Sequence, residues 1–407
     1  MSQVDIDAVF RSEYGRAVSV LTGVLGDITL AEDAVQAAFE KAVRRWPDDG
    51  WPPSPAGWII TTARREAIDR IRREAKRADK EAAAPVIADD LDQSAIADDR
   101  LRMFFTCAHP SLAPANQAAL ILRVLGGLST ADIGRAFLTS ETTIAARVTR
   151  AKAKIRDARI PYRVPDDAEL PERVDGVLRA IYLIFTEGYR AAAGDDAVRD
   201  DLATEAIRLA RVLVELMPDE PECVGLLALL LLTQSRRDAR VVDGELVPLD
   251  EQDRTLWDLA FIAEGHQLVR HCLRRNMPGS YQLQAAIAAV HAEAERFSDT
   301  DWTQVVALYD QLIAVAPGAP TWVARAVAIG ERDGAAAGIE ALDELPPDRV
   351  LEQYAVYHAA RASMLRRLRR YDEAVTAYDA AIGLTANAAE RRSLARRRDG
   401  AGERAPC

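Results

Sequence analysis

Cysteine and histidine are scarce in this chain of 407 residues, with four of the first and five of the second. Cys107, Cys223, Cys272 and Cys407 are scattered, and no C-x-x-C occurs. A structural zinc site takes four ligands, and the one C-x-H, Cys107 with His109, offers two. Neither a metal nor any other cofactor is expected. Long apolar runs are missing as well. The longest, VGLLALLLL at 224–232, falls far short of the roughly 20 residues that a bilayer span takes, so it reads as a buried helix. The opening residues, MSQVDIDAVFRSEYG, have amphipathic helical spacing rather than a charged and then apolar leader. No membrane association is expected, and the location expected is cytoplasmic. The sequence also lacks a Walker loop, an H-E-x-x-H and a nucleophile elbow, and its histidines are dispersed. Nothing here assembles a catalytic constellation, so no enzyme is expected.

Alternation of β-branched residues, the mark of half-buried strands, is almost absent, while Ala, Leu, Arg and Glu dominate. The fold class expected is all-α. The net charge is −11, which disfavours nucleic acid as a partner until the charge is mapped. Residues 171–395 hold 36 Asp and Glu against 24 Arg, a net of −12, so the remainder sums to +1. Within that remainder, RREAIDRIRREAKRADK (64–80) and RVTRAKAKIRDAR (147–159) are basic, and IADDLDQSAIADD (87–99) between them is acidic. Salt confines such fields to roughly 8–10 Å, so the local patches count for more than the sum.

The second basic stretch closes the segment GGLSTADIGRAFLTSETTIAARVTRAKAKIR (126–156). Ser129 followed by Asp132 is a capping-box pattern that predicts a helix start, with Ile133 and Phe137 on its apolar face. A turn is expected near 138–140. In the next helix Ile144, Val148, Ala151 and Ile155 form one stripe, and Arg147, Arg150 and Lys154 recur on another face. Two readings fit: a helix-turn-helix that enters a major groove, or a solvated helix pair in a larger bundle.

Four segments follow along the chain. Residues 1–78 form a helical block, interrupted by WPDDGWPPSPAGW (46–58). Residues 79–100 are an acidic, Ala-rich linker, and 101–160 contain the helix pair. After a proline-stiffened joint, PYRVPDDAELP (161–171), residues 171–395 form a helical extension. In it, TDWTQVVALYDQLIAVAPGAP (300–320) aligns with RRYDEAVTAYDAAIGLTANAA (369–389), setting Tyr309 opposite Tyr378. Val306, Ile339 and Val375 repeat at intervals of 33 and 36 residues, close to the tetratricopeptide (TPR) period of about 34. The extension resembles TPR repeats, whose stacked helix pairs usually offer a concave face to a protein partner.

In the first block, LAEDAVQAAFEKAVRRW (30–46) places Val35, Ala38, Phe39, Ala42 and Trp46 on a core side, with Asp33, Gln36 and Glu40 elsewhere. PAGWIITTARREAIDRIRREAKR (55–77) joins an aromatic residue, two threonines and an Arg-dense face. That composition suits single-stranded DNA, and equally a solvated helix with a buried tryptophan.

Together these blocks resemble the sigma-70 family of bacterial RNA polymerase sigma factors, in its extracytoplasmic-function (ECF) type. AEDAVQAAFEKAVRRW is similar to region 2.2, A-E-D-x-V-Q-x-x-F-x-x-A-W, and WIITTARREAIDRIRR to regions 2.3–2.4, W-L-x-x-I-A-R-N-x-x-I-D-x-x-R. The segment 126–156 is similar to region 4, whose recognition helix often reads T-V-K-S-R-L-S-R-A. One ECF subgroup carries a TPR-like extension. The resemblance implies a region 2 bundle at 1–78, a region 4 helix-turn-helix at 101–160, and two partners, core RNA polymerase (β′ clamp and β flap) and promoter DNA. Asp33, Gln36 and Glu40 would meet the polymerase. Trp58, Thr61, Thr62, Arg64 and Arg65 would take bases of the −10 element. Ser140, Thr142, Thr143, Arg147, Arg150 and Lys154 would face the −35 element. The acidic linker would thread a basic channel of the core enzyme. Ala145 and Arg65 depart from the commoner Lys and Asn of the family, and Ala324 from an Asn frequent in related extensions. A one-component regulator, with a helix-turn-helix and a TPR sensor, is the alternative, and it leaves the first block without a role.

Overall fold

The computed structural model describes residues 3–77, 93–137, 139–189, 200–242, 245–345 and 349–402. Most of the acidic linker, 79–92, and Cys407 lie outside these. Among the described residues the fold is all-α apart from one short hairpin, and the chain divides into two compact units, Met1–Ile184 and Phe185–Cys407.

In the first unit α1 (Gln3–Leu25), α2 (Ile28–Asp49) and α3 (Pro55–Arg77) pack on one another as a bundle. The start of α2 is local chemistry: the Asp27 carboxylate accepts from the backbone N–H of Thr29 and Leu30, at 2.7 and 3.0 Å. The expected stripe of α2, Val35, Ala38, Phe39, Ala42 and Trp46, is buried throughout. Helix α4 (Gln93–Cys107) begins inside the stretch read as linker, and its Met103, Phe104 and Phe105 are fully buried. It leads to α5 (Pro114–Val124), α6 (Thr130–Ala136) and α7 (Glu141–Asp157), and α8 (Leu170–Tyr189) follows the joint.

Close approaches seal α1 against the later helices. A side chain at Gly15 would put a Cβ 2.4 Å from the Leu125 carbonyl oxygen, so only glycine fits there. Gly127, at φ +73°, turns the chain beside Phe10 and Tyr14. The joint is docked: Tyr162 donates one hydroxyl to the carbonyls of Ser19 and Asp99, at 2.7 and 2.8 Å. Helix α8 crosses the boundary expected at 171. Its Val174, Val177, Leu178, Ile181 and Ile184 are buried, and Arg173 donates to the Phe105 carbonyl on α4 at 2.6 Å.

The second unit holds α9 (Asp200–Leu216), α10 (Pro221–Gln234), α11 (Arg237–Arg240) and a hairpin of β1 (Val241–Val242) and β2 (Glu245–Leu246). After it come α12 (Leu259–Arg275), α13 (Ser280–Glu293), α14 (Trp302–Val315), α15 (Ala319–Arg332), α16 (Ala335–Asp343), α17 (Arg349–Glu352), α18 (Ala355–Arg367), α19 (Tyr371–Leu384) and α20 (Ala388–Gly402). Helix α10 carries the apolar run 224–232 and is buried along that run because α9, α12 and α13 surround it. The three repeat positions fall on α14, α16 and α19: Val306 and Ile339 are buried and Val375 is half-buried. Tyr378 is fully buried, while its counterpart Tyr309 stays half-buried.

Candidate nucleic-acid interface

The α6–α7 pair forms as its sequence spacing predicts. Ser129 and Asp132 cap α6 reciprocally: the Asp132 N–H donates to Ser129 Oγ at 3.0 Å, and the Ser129 N–H and hydroxyl donate to Asp132 Oδ2 at 3.2 and 2.5 Å. Ser140 Oγ caps α7 by accepting from the Thr143 N–H at 3.1 Å. Its oxygen also lies 2.9 and 2.7 Å from the hydroxyls of Thr142 and Thr143. The hydroxyls of these three residues, expected to face the −35 element, are thus engaged with one another at the helix cap.

One face of α7 is inward: Ile144, Val148 and Ala151 are buried and Ile155 is half-buried. At 3.6 residues per turn, Thr143, Arg147, Arg150 and Lys154 share a second narrow face. Arg150 and Lys154 are exposed there, and Arg147 is half-buried. A cationic row on a rigid helix, kept apart from the buried stripe, is suited to phosphate contact.

On α3 the same geometry brings Trp58, Thr61, Thr62 and Arg65 onto one face, opposite the buried Ile59, Ile60, Ala63 and Ala67. Arg64 sits at the edge of that face. Thr61 and Arg65 are exposed, while Trp58, Thr62 and Arg64 are half-buried. Trp58 meets the buried Trp46 edge-on, with ring centroids 5.4 Å apart, and the Trp51 ring centroid lies 4.8 Å from that of Trp46. Trp58 is thus partly engaged in packing against Trp46 while remaining only half-buried.

Asp33, Gln36 and Glu40 are exposed on α2. Asp33 has a further duty, since Arg70 on α3 donates to its carboxylate at 2.5 Å. Lys41 and Glu66 form a second ion pair between the same helices.

Glu32, beside Asp33, was not singled out by its sequence context. It is only 4% exposed. Arg123 Nε on α5 lies 3.1 Å from its Oε1, Lys152 on α7 is ion-paired with its Oε2, and Tyr14 donates to Oε1 at 3.2 Å. Burial, with Glu32 beside it, pushes the Tyr14 phenol well above its ordinary range. The signal was present in the spacing: 32, 35, 39, 42 and 46 belong to one helical stripe, so a carboxylate interrupts the apolar face of α2. Around Cys107, the thiol is buried and His109 Nδ1 accepts from the Ser111 N–H at 3.1 Å. Among the described residues no group of three or more His, Cys, Asp or Glu side chains converges, and no helix is long and apolar enough to cross a membrane.

Residues 9–77 match the family Sigma-70 region 2, residues 105–155 match Sigma-70, region 4, and residues 173–273 match a family of unknown function (DUF6596). An uncharacterized protein of Rhizobium meliloti (strain 1021) is 41% identical over 395 residues, covering 95% of this chain and 93% of the relative. The ECF RNA polymerase sigma factor SigK of Mycobacterium ulcerans (strain Agy99) is 28% identical over 148 residues, 35% of this chain and 79% of that protein. The probable ECF RNA polymerase sigma factor SigI of Mycobacterium tuberculosis (strain ATCC 25618 / H37Rv) is 27% identical over 173 residues, 40% of this chain and 59% of that protein. No solved structure matches the chain.

Proposed function

Because this chain belongs to the sigma-70 family, as an ECF-type member with a C-terminal extension, we propose that it binds core RNA polymerase, directs promoter-specific initiation of transcription in the cytoplasm, and is regulated through that extension. The observation that carries the DNA-binding part is the division of α7 into a buried stripe and an outward row of Arg147, Arg150 and Lys154. That row would hold the phosphates of the −35 element, with the α7 N-terminus entering the major groove. Trp58, Thr61, Thr62 and Arg65, with Arg64 at the edge, would receive bases unstacked from the −10 element. Unstacking costs a few kcal/mol, which stacking and phosphate contacts offset. Gln36, Glu40 and Asp33 would dock on the β′ clamp, and the helix pair on the β flap. No covalent step is asked of this chain.

For the extension, the supporting observation is its first turn. The match to the family of unknown function begins at residue 173, and Arg173 itself is anchored to the carbonyl of Phe105 in the region 4 segment. A helix built into that unit suits a brace that holds region 4 in place, with a protein partner meeting the TPR-like face.

Runoff transcription with purified core enzyme tests the reading. Promoter-specific transcripts are expected only when this protein is added. Gln36→Ala with Glu40→Lys is expected to abolish pulldown of core enzyme while helicity is kept. Duplex operator binding with no association with core enzyme would instead favour a one-component regulator.

A further inference from the structure

Helix α12 leaves large apolar side chains in water. Leu273 and Met277 are 66% and 65% exposed, at and just beyond its last turn. Leu259, two heptads before Leu273 on the same side of the helix, is 76% exposed. Leu273 and Met277 border a groove of about 190 Å³ between α12 and α14. Leu283 and Ala286 of α13 form its floor, Leu308 of α14 stands on the opposite wall, and no charged side chain lines it.

The rim of this groove is basic, although residues 171–395 carry a net charge of −12. Residues 266–275 read HQLVRHCLRR and contain no Asp or Glu. Arg270 and Arg274 are exposed on the flank of α12 next to Leu273 and Met277. The nearby charges on these helices are accounted for within the fold. Arg275 pairs with Asp219 at 2.8 Å, Glu264, the one carboxylate of α12, is held by Arg211, and Asp310 of α14 by Arg325. Cations in a last turn offset the helix dipole, which accounts for Arg274 but not for Leu273 and Met277 in water. Exposed apolar side chains rimmed by charge mark an interaction surface.

We propose that this groove docks an amphipathic helix of a protein partner, its apolar side seated between α12 and α14 and its acidic flank opposite Arg270 and Arg274. The walls are helices, whose backbone donors and acceptors are already paired. An extended segment would leave its own backbone groups unmatched there, whereas a helix satisfies them internally. From Leu259 to Leu273 the exposed stripe runs about 21 Å at 1.5 Å per residue, which is about four turns of a partner helix. A second copy of this chain would bring two basic patches together across a two-fold axis. A small molecule is a poorer fit, since the groove is below the roughly 300–1,000 Å³ usual for such sites and has no charged group to orient one. A flat lipid surface would reach Leu273 and Met277 and leave the groove floor unfilled. The proposal names the kind of partner that the extension takes and, as a docking site, does not rest on the transcriptional role proposed above.

The test is therefore made on the purified full-length protein without polymerase. The probe is a synthetic helical peptide of about 15 residues, with leucines every three or four residues and glutamates along one flank. Its counterpart carries lysine in place of glutamate. Fluorescence anisotropy is expected to give saturable binding of the glutamate peptide with a Kd of about 10–100 μM, weaker in high salt, and about tenfold weaker binding of the lysine peptide. With methyl-labelled methionine, the Met277 resonance is expected to move while those of the buried Met103 and Met364 stay in place. Leu273→Glu and Met277→Glu are expected to weaken binding about tenfold or more, and Leu384→Glu, at an exposed position of α19, to leave it unchanged. Arg270→Glu combined with Arg274→Glu is expected to exchange the preference, so that the lysine peptide binds and the glutamate peptide does not. That charge-reversed chain decides the matter if either apolar variant folds poorly by circular dichroism. The inference is overturned if neither peptide binds the wild type, if both bind alike, or if the groove variants bind as the wild type does. It is overturned as well if the stripe serves another occupant. Binding to phosphatidylglycerol vesicles that Leu273→Glu abolishes would make it a lipid contact, and a dimer in ultracentrifugation that this variant abolishes would make it a self-interface.

Discussion

The buried carboxylate of Glu32 on α2 is ion-paired with Lys152 on α7, and through that pair the region 2 and region 4 segments of the first unit hold each other. Lys152 lies on the flank of α7 away from Arg147, Arg150 and Lys154, so the pair leaves the outward basic row uncovered. The −10 and −35 elements lie about 25 base pairs apart, or roughly 85 Å of duplex at about 3.4 Å per step. A promoter complex of the proposed kind needs the two segments far apart, so this ion pair has to open.

Lys152→Ala tests that requirement. Arg123 keeps part of the Glu32 charge compensated, so the cost to stability is expected to be about 1–3 kcal/mol rather than that of a fully orphaned charge. Energy transfer between dyes at Thr61 and Lys154 is expected to report a larger mean separation in the variant. Unchanged Tm together with unchanged transfer would show that the pair does not hold the compact form.

The basic row of α7 has a quantitative signature. Removing one arginine–phosphate interaction lowers the slope of log affinity against log salt by about one unit. Arg147→Ala and Arg150→Ala are expected to weaken promoter binding across sequences and to flatten the salt dependence of the protein–polymerase complex. A slope equal to that of the wild type would remove these side chains from the interface.

Where the chain is cut decides what a truncation measures. A protein ending at Pro165 loses α8, whose Val177, Leu178, Ile181 and Ile184 are buried and whose Arg173 donates to the Phe105 carbonyl, and is expected to aggregate. A protein ending at Tyr189 keeps that helix and is expected to bind core enzyme with reduced promoter-specific transcription. Higher activity from the shorter protein in a runoff assay would reverse the sign and make the extension an inhibitor.

His291 gives the stability a pH dependence in mildly acid solution. Its pKa is lowered by burial and by Arg236 and Arg254 to about 4, against an ordinary 6.5. The unfolded chain therefore binds the proton first, and the contribution present above pH 6.5 is lost as pH falls toward 4. The loss amounts to roughly 3 kcal/mol at most. Urea titrations at a series of pH values are expected to show it, and His291→Asn to flatten that window. An equal pH slope in the variant would assign the loss to other groups.

Most of the helices were legible in the sequence because their signals are local. The interval from Ile144 to Val148, Ala151 and Ile155 has one meaning on a backbone of 3.6 residues per turn, and a Ser129–Asp132 cap spans a single turn. The same geometry placed Thr143, Arg147, Arg150 and Lys154 on one face, and Trp58, Thr61, Thr62 and Arg65 on another. What Glu32 meets was a different matter. Its position on the apolar stripe marked it as inward-facing, but Arg123 and Lys152 sit on helices that reach it only when the first unit closes. The contact of the Arg240 guanidinium with the Tyr189 ring, 3.6 Å from its centroid, is of the same kind, since the two residues lie on separate helices. Spacing along a helix is set by the backbone and can be read residue by residue. Which buried charge finds which partner is set by packing between distant segments, and only the tertiary structure decides it.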